Sequence, residues 1–337
     1  MKTTANVDLR PYNTFGVTAM CDKFVELDTV EDALEWAEHA DRSVPLLVIG
    51  GGSNLLLTQD FHGTVVRSAI RGREVTDETP DYVLVRCGSG EVWDDVVAWC
   101  VEHGWSGMEN LSLIPGDVGA TAVQNIGAYG VEAKDLIHSV EAVDIHTGRM
   151  ACFTVGECKY GYRDSVFKNA LHGRYIITHV TYRMNKSFRP ITDYGNIVEE
   201  LRRMDISHPT LAQMRQVVID IRKSKLPDWH VMGNAGSFFK NPVLDACAFA
   251  QLQTSFPDVR YFPLSDGRVK VPAGWLIEKC GWKGRRIGNV GVYERQSLVL
   301  VNYGNACGTE ILALCNAIIK DVEGKFGIRL HPEVNIV

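Results

Sequence analysis

Residues 118–130 read VGATAVQNIGAYG, and no ordinary secondary structure accepts that composition easily. Gly119, Gly127 and Gly130 are interleaved with Ala120, Ala122 and Ala128, which makes a poor helix and a poor strand interior. Such a run suits a backbone that packs flat against something large, or else a tightly packed internal loop. Two more glycine sites precede it. The apolar residues 45–49 read as a buried strand opening into Gly50, Gly51, Gly52, Ser53 and Asn54. Backbone N–H groups of such a loop can cradle phosphate oxygens. No Gly-Lys-Ser/Thr follows, and Leu55, Leu56 and Leu57 continue as strand, so it is not a Walker loop, and a glycine-rich turn remains the alternative. At the second site a strand over 82–87, Gly88-Ser89-Gly90 and a helix over 91–103 imitate a Rossmann fingerprint. Trp93 stands where a third glycine must let helix and strand close, so the fingerprint fails there. That helix is expected to bury Val92, Val96, Trp99 and Cys100.

With 337 residues, 45% hydrophobic and 23% charged, the chain has core material for two or three soluble domains. A net charge of −6 argues against a nucleic-acid binder, which needs a basic surface. The nine cysteines are scattered without a Cys-x-x-Cys pair, so no metal site is expected, and those in apolar runs, such as Cys100 and Cys315, read as small buried hydrophobes. No signal peptide and no long apolar span are visible, and the expected compartment is the reducing cytoplasm.

Residues 234–242 read NAGSFFKNP. Ser237 follows Gly236 and precedes two rings able to exclude water, so it is a nucleophile, a proton donor or a turn residue. No Gly-x-Ser-x-Gly elbow and no evident histidine partner support a serine hydrolase. Arg163 lies in YGYRDS, either paired with Asp164 at the surface or offering its planar fork to a carboxylate. A loop over 188–196 carries Tyr194. A helix over 211–225 shows a core stripe of Leu211, Met214, Val218 and Ile221, and Arg222, Lys223 and Lys225 crowd its last turn, serving the helix dipole or a ligand. A strand over 293–302 carries Gln296. A final strand over 328–337 puts Ile328, Leu330, Val334 and Ile336 on one face and Glu333 on the other.

Taken in order, GGGSN (50–54), IPG (114–116), VQNIGAYG (123–130), GYRDS (161–165), KLPD (225–228), NAGSFFKNP (234–242) and HPEV (331–334) resemble the UDP-N-acetylenolpyruvoylglucosamine reductases, also called UDP-N-acetylmuramate dehydrogenases. The likeness covers nearly the whole chain and extends to the type with a tyrosine-bearing loop. It implies an α+β protein with a vanillyl-alcohol-oxidase-type FAD-binding fold of two α+β subdomains, plus an α+β substrate-binding domain. The expected boundaries are 1–207 for the FAD-binding domain (about 1–68 and 69–207), 208–325 for the substrate domain, and 326–337 for a strand returning to the active site.

By the same resemblance Gly50, Gly51, Gly52, Ser53 and Asn54 meet the FAD pyrophosphate. Ile114, Pro115, Gly116, Gly119, Ala120, Gln124, Asn125 and Gly127 line the rest of the cofactor. Tyr162, Tyr194, Arg222, Lys225, Asn241 and Gln296 match substrate contacts. Implied is a peptidoglycan-precursor reduction in which NADPH reduces FAD and hydride passes to the vinyl carbon of UDP-N-acetylenolpyruvoylglucosamine. Arg163 then holds the carboxylate, Glu333 stabilises the enol form and Ser237 delivers the proton. A monomer without membrane or nucleic-acid partners is expected. A rival on the same fold is a flavin oxidase of an alcohol or sugar that needs no NADPH. One departure is Asn335, where some relatives carry arginine.

Overall fold

The computed structural model describes residues 1–337, which divide into two compact units, one of residues 1–7, 21–52 and 61–223, the other of residues 8–20, 53–60 and 224–337. No helix is long and apolar enough to cross a membrane.

Besides a two-stranded sheet of Gly127–Ala128 and Val131–Glu132, the first unit holds two large sheets. In one, Met20–Leu27, Phe61–Ser68 and Leu46–Ile49 run parallel, with Lys2–Asp8 on the far edge. Leu46–Ile49 is the other edge strand and is only half-buried, although its residues are wholly apolar. The helix Val30–His39 begins with a capping box between Thr29 and Asp32 and buries Ala33, Trp36 and Ala37 against Val25, Leu27 and Val66. That box satisfies two otherwise orphaned N–H groups.

The other sheet is antiparallel, in the order Arg149–Thr154, Ile137–Asp144, Tyr175–Asn185, Tyr82–Gly88, Arg73–Glu78. Its first pair is a hairpin turning near Gly148. Trp93–Glu102 and Val118–Gln124 are helices whose buried side chains join the core of this sheet.

The first helix forms where expected and buries Val96 and Cys100, but the rest of its stripe differs, and the second forms where the composition argued against a helix. Trp93 is fully buried and packs at a tilt of 58° against Tyr182 (centroids 5.6 Å apart), while its Nε1–H donates to Leu111 O at 2.9 Å. Val92 is 39% exposed and Trp99 half-buried, so the core stripe runs through Trp93, Val96, Val97 and Cys100. Residues 118–124 form a helix despite their small side chains. They lie so close to the preceding loop that a Cβ on Gly119 would stand 2.8 Å from Ser89 Cβ. Burial there outweighs a propensity deficit of about 1 kcal/mol per glycine. Gly88 and Gly90 serve the same closeness, since a Cβ on either would meet the backbone of residues 68–71 at 2.8 Å or less.

In the second unit Gly233–Ser237, Val299–Asn302, Val290–Val292 and Arg286–Ile287 form an antiparallel sheet contacted by the helix Gly308–Phe326. Its strand Val299–Asn302 is shorter than expected, and Gln296 lies in the turn before it. Val243–Leu244, Val269–Lys270 and Phe262–Pro263 form a three-stranded sheet. Of residues 328–337 only Asn335–Ile336 is strand, running parallel to Leu55–Leu56; Leu330 and Val334 are buried but Ile336 is 38% exposed. Cys100 and Cys315 are buried as expected, and none of the nine cysteines is in a disulfide.

Candidate active site

In the first unit the glycine loops meet. A Cβ on Gly51 would lie 3.1 Å from both Gly116 Cα and Asp117 Oδ1, and one on Gly50 would touch Ala120 Cβ at 3.6 Å. Gly52 and Gly116 adopt φ of +65° and +120°, backbone that glycine alone adopts readily. The two segments can approach this closely only because they lack side chains at those positions.

No sequence signal singles out Asp117, yet it sits at this junction. It is buried, Arg67 Nη2 is 3.9 Å from its Oδ2, and Oδ2 has no hydrogen-bond partner. Burial pushes its carboxyl up to about 6, against the pull of Arg67 and Arg71. An orphaned buried acceptor beside a side-chain-free cradle fits a ligand with hydroxyl groups and phosphates, as FAD has.

The small-residue helix ends where Asn125 takes a left-handed φ of +45°. The Asn125 amide then organises the next motif: Nδ2 donates to Gly161 O (2.8 Å) and Glu132 Oε2 (3.0 Å), and Oδ1 accepts from Lys134 N (3.0 Å). Gln124 Oε1 accepts from Lys168 Nζ at 2.7 Å.

Gly161 and Asp164 close a tight turn by reciprocal backbone hydrogen bonds. Inside that turn Arg163 takes φ of +53°, a strained conformation for a residue with a Cβ. Its guanidinium donates to Gly127 O and to Asn125 O (3.3 Å), and Tyr162, 38% exposed, lies 5.6 Å from it. A Cβ on Gly127 would come within 2.8 Å of Arg163 Nη1. Arg163 is therefore tied to the backbone of residues 125–127, and Asp164 Oδ1 accepts from Asn169 (2.8 Å).

Arg222 stands on the helix Leu211–Lys225, whose buried stripe is Met214, Val217, Val218 and Ile221, with Val217 taking the place expected of Leu211. Arg215 holds that helix by a double ion pair to Asp94 (2.7 and 3.0 Å). Desolvation lowers the Arg222 guanidinium below its ordinary value, Tyr129 and Asp94 oppose this, and Arg163 adds to it; its buried Nε has no partner. Tyr194, 53% exposed, lays its ring over Gly130.

In the second unit Ser237 ends a strand with a bulge between Asn234 and Ser237, Gly236 taking φ of +66°. The bulge resets which side chains face inward. Phe238 and Phe239 are buried, Phe238 edge-on to Phe15 at 6.1 Å, whereas Ser237 is exposed. The rings thus belong to the core and do not wall off the serine, contrary to the expectation from sequence.

The chain beyond Ser237 pairs with the C-terminal motif. Glu333 N donates to Phe238 O (2.8 Å), Lys240 N donates to His331 O (2.9 Å), and Phe239 bridges Pro332. Asn54 Nδ2 donates to Glu333 O at 3.3 Å. Asn335 donates to Asn54 O from its backbone (3.1 Å) and its amide (3.2 Å), so here this position fastens the C-terminal strand. Ser237, Glu333 and Asn54 are brought together by backbone pairing, with Glu333 half-buried.

Asn241 and Gln296 meet at the start of the helix Ala273–Lys279. Asn241 Oδ1 accepts from Ala273 N (2.9 Å), and a Cβ on Gly274 would sit 3.5 Å from Gln296 Oε1. Lys225, half-buried, is the last residue of its helix.

Known proteins resemble this chain over nearly its whole length. Residues 22–153 match the FAD binding domain family, and residues 227–337 match the C-terminal domain of UDP-N-acetylenolpyruvoylglucosamine reductase. The UDP-N-acetylenolpyruvoylglucosamine reductase of Flavobacterium johnsoniae is 45% identical over 338 residues, covering 100% of both chains. Those of Bacteroides fragilis (98% of both chains) and Pseudomonas aeruginosa (97% of both) are each 47% identical. The crystal structure of the Thermus caldophilus UDP-N-acetylenolpyruvylglucosamine reductase superposes with a TM-score of 0.70 at 24% identity, over 100% of this chain and 99% of that one. The α+β architecture is that of the vanillyl-alcohol-oxidase-type FAD-binding fold, followed by the C-terminal domain of these reductases. The chain belongs to the UDP-N-acetylenolpyruvoylglucosamine reductases, FAD-containing oxidoreductases of peptidoglycan synthesis.

Proposed function

We propose that this chain reduces UDP-N-acetylenolpyruvoylglucosamine to UDP-N-acetylmuramate at the expense of NADPH, as a cytoplasmic monomer, with Ser237 as proton donor. The observation that carries the reading is an exposed Ser237 hydroxyl on a bulged strand whose next carbonyl, Phe238 O, holds Glu333 N at 2.8 Å. FAD, when bound, supplies the terminal vinyl carbon with a hydride taken from NADPH.

Negative charge then builds on the neighbouring carbon and the substrate carboxylate, so the protein must offer a cation there and a proton at that carbon. Arg163 offers a planar fork to the carboxylate. Its attachment to Asn125 O and Gly127 O supports a fixed orientation relative to the residues assigned to the cofactor. Glu333 stabilises the enol form, and Ser237 gives its proton to the carbon. A serine is so weak an acid that it acts only on a strongly basic enolate, and its exposure lets water reprotonate it. Tyr162, Tyr194, Arg222, Lys225, Asn241 and Gln296 bind the nucleotide substrate, with Lys225 and Tyr194 on its diphosphate. Local cations outweigh the net charge of −6 within a Debye length of ~8 Å.

Stopped-flow absorbance of the Ser237→Ala enzyme tests this. Flavin bleaching by NADPH should be unchanged, and reoxidation by the enolpyruvyl nucleotide should slow by roughly 10²–10⁴. Equal slowing of both phases would remove Ser237 from proton delivery.

A further inference from the structure

Asn110 lies in the one-turn helix Glu109–Leu111 and is wholly buried. Its Nδ2 donates to two carbonyls far apart in sequence, Tyr129 O (2.8 Å) and Ile191 O (3.0 Å), and its Oδ1 has no hydrogen-bond partner. A buried amide that satisfies only its donor side is costly to keep, and the two carbonyls it joins belong to a loop and to the surface that loop covers. Ile191 is in the segment carrying Tyr194, and Tyr129 precedes the glycine under the Tyr194 ring.

That surface is shaped for the loop. Tyr129 and Gly130 take φ of +47° and +85°, and a Cβ on Gly130 would fall 2.3 Å from Tyr194 Cδ2. Gly195, at φ of +65°, packs its backbone on the Tyr129 ring, where a Cβ would lie 3.2 Å away. Tyr129 and Phe188 pack against the buried cluster of Ile197, Leu201 and Ile221. The ends of the loop are held by apolar packing, and its middle by the Asn110 amide.

We infer that Asn110 is a positioning residue that seats the tyrosine-bearing loop through Ile191 O and thereby sets the affinity for the nucleotide substrate. The inference rests on the proposed role of Tyr194 in nucleotide binding.

The holoenzyme of Asn110→Ala tests it by steady-state kinetics and amide hydrogen exchange. KM for UDP-N-acetylenolpyruvoylglucosamine should rise about ten-fold, as for one lost buried hydrogen bond. Turnover at saturating nucleotide and flavin content should stay within about two-fold of the parent, and exchange should quicken in residues 187–196 but not in 118–124. Gly130→Ala, which displaces the Tyr194 ring without touching Asn110, should raise KM in the same way and decides the matter if Asn110→Ala loses its flavin. Unchanged exchange in the loop, or faster exchange with unchanged KM, overturns the inference. Tyr194→Phe separates the two readings: if KM is unmoved there, the substrate role of Tyr194 fails, whereas a KM raised by Tyr194→Phe alone overturns the role of Asn110.

Discussion

Replacing Asp117 by asparagine should change how stability depends on pH. The Asp117 carboxyl is raised by burial from an ordinary value of 3.8 to about 6. An acid whose pKa is higher when folded binds its proton more tightly in the native state. Its favourable contribution is therefore complete below about pH 4, declines between pH 4 and 6, and is lost above that window. Each tenfold change in proton affinity is worth about 1.4 kcal/mol, so keeping the ionised form in this buried place costs about 3 kcal/mol at pH 8. Asparagine preserves the shape and removes the titration. Urea unfolding of flavin-free protein, followed by tryptophan fluorescence, should show Asp117→Asn gaining on the parent by about 2–3 kcal/mol between pH 4 and pH 8. The pull of Arg67, 3.9 Å away, is already contained in the value of about 6, so the change in the stability difference with pH is the diagnostic quantity. A stability difference that does not vary with pH would refute the assignment of a raised Asp117.

Other substitutions read other parts of the molecule. Gly51→Ala puts a methyl 3.1 Å from Gly116 Cα and Asp117 Oδ1; FAD affinity, titrated by flavin fluorescence quenching, should fall about ten-fold (about 1.4 kcal/mol), and unchanged affinity would count against the cradle. Arg163→Lys loses the fork that reaches Asn125 O and Gly127 O together; turnover should drop about a hundred-fold or more, with bound flavin retained. Trp93→Phe leaves Leu111 O without its buried donor and should cost about 2 kcal/mol in urea unfolding. Thiol titration of the native protein should modify Cys152, Cys247 and Cys307 quickly, because these are exposed, while burial pushes Cys87 and Cys315 up to about 12; rapid reaction of the buried pair would disprove the packing.

Much of the outline is legible in the residues. The hairpin near Gly148, the capped helix after Thr29 and the long final helix follow from turn chemistry, capping and apolar period, which are local. The bulk of Trp93 alone shows that a dinucleotide fingerprint fails there. Its burial is not legible, because a ring that large at a helix start finds its place only when the sheet beneath it exists. Residues 118–124 look too glycine-rich for helix, but propensity is a weak prior and close approach to Ser89 rewards the small side chains.

At the candidate site the ordered motifs by themselves determine membership in the reductase family, and with it the FAD-binding fold, because seven short patterns in order carry information that no single residue does. The tertiary structure alone decides what each side chain meets. It sends Phe238 and Phe239 into the core and leaves Ser237 outside, through a bulge that shifts the alternation of strand faces. It joins Glu333 to Phe238 O, and Asn335 to Asn54, across separations that no local pattern can encode. It also places Asp117 among the glycine loops and ties Asn110 to Ile191, since burial and hydrogen-bond partnership are properties of the packed chain.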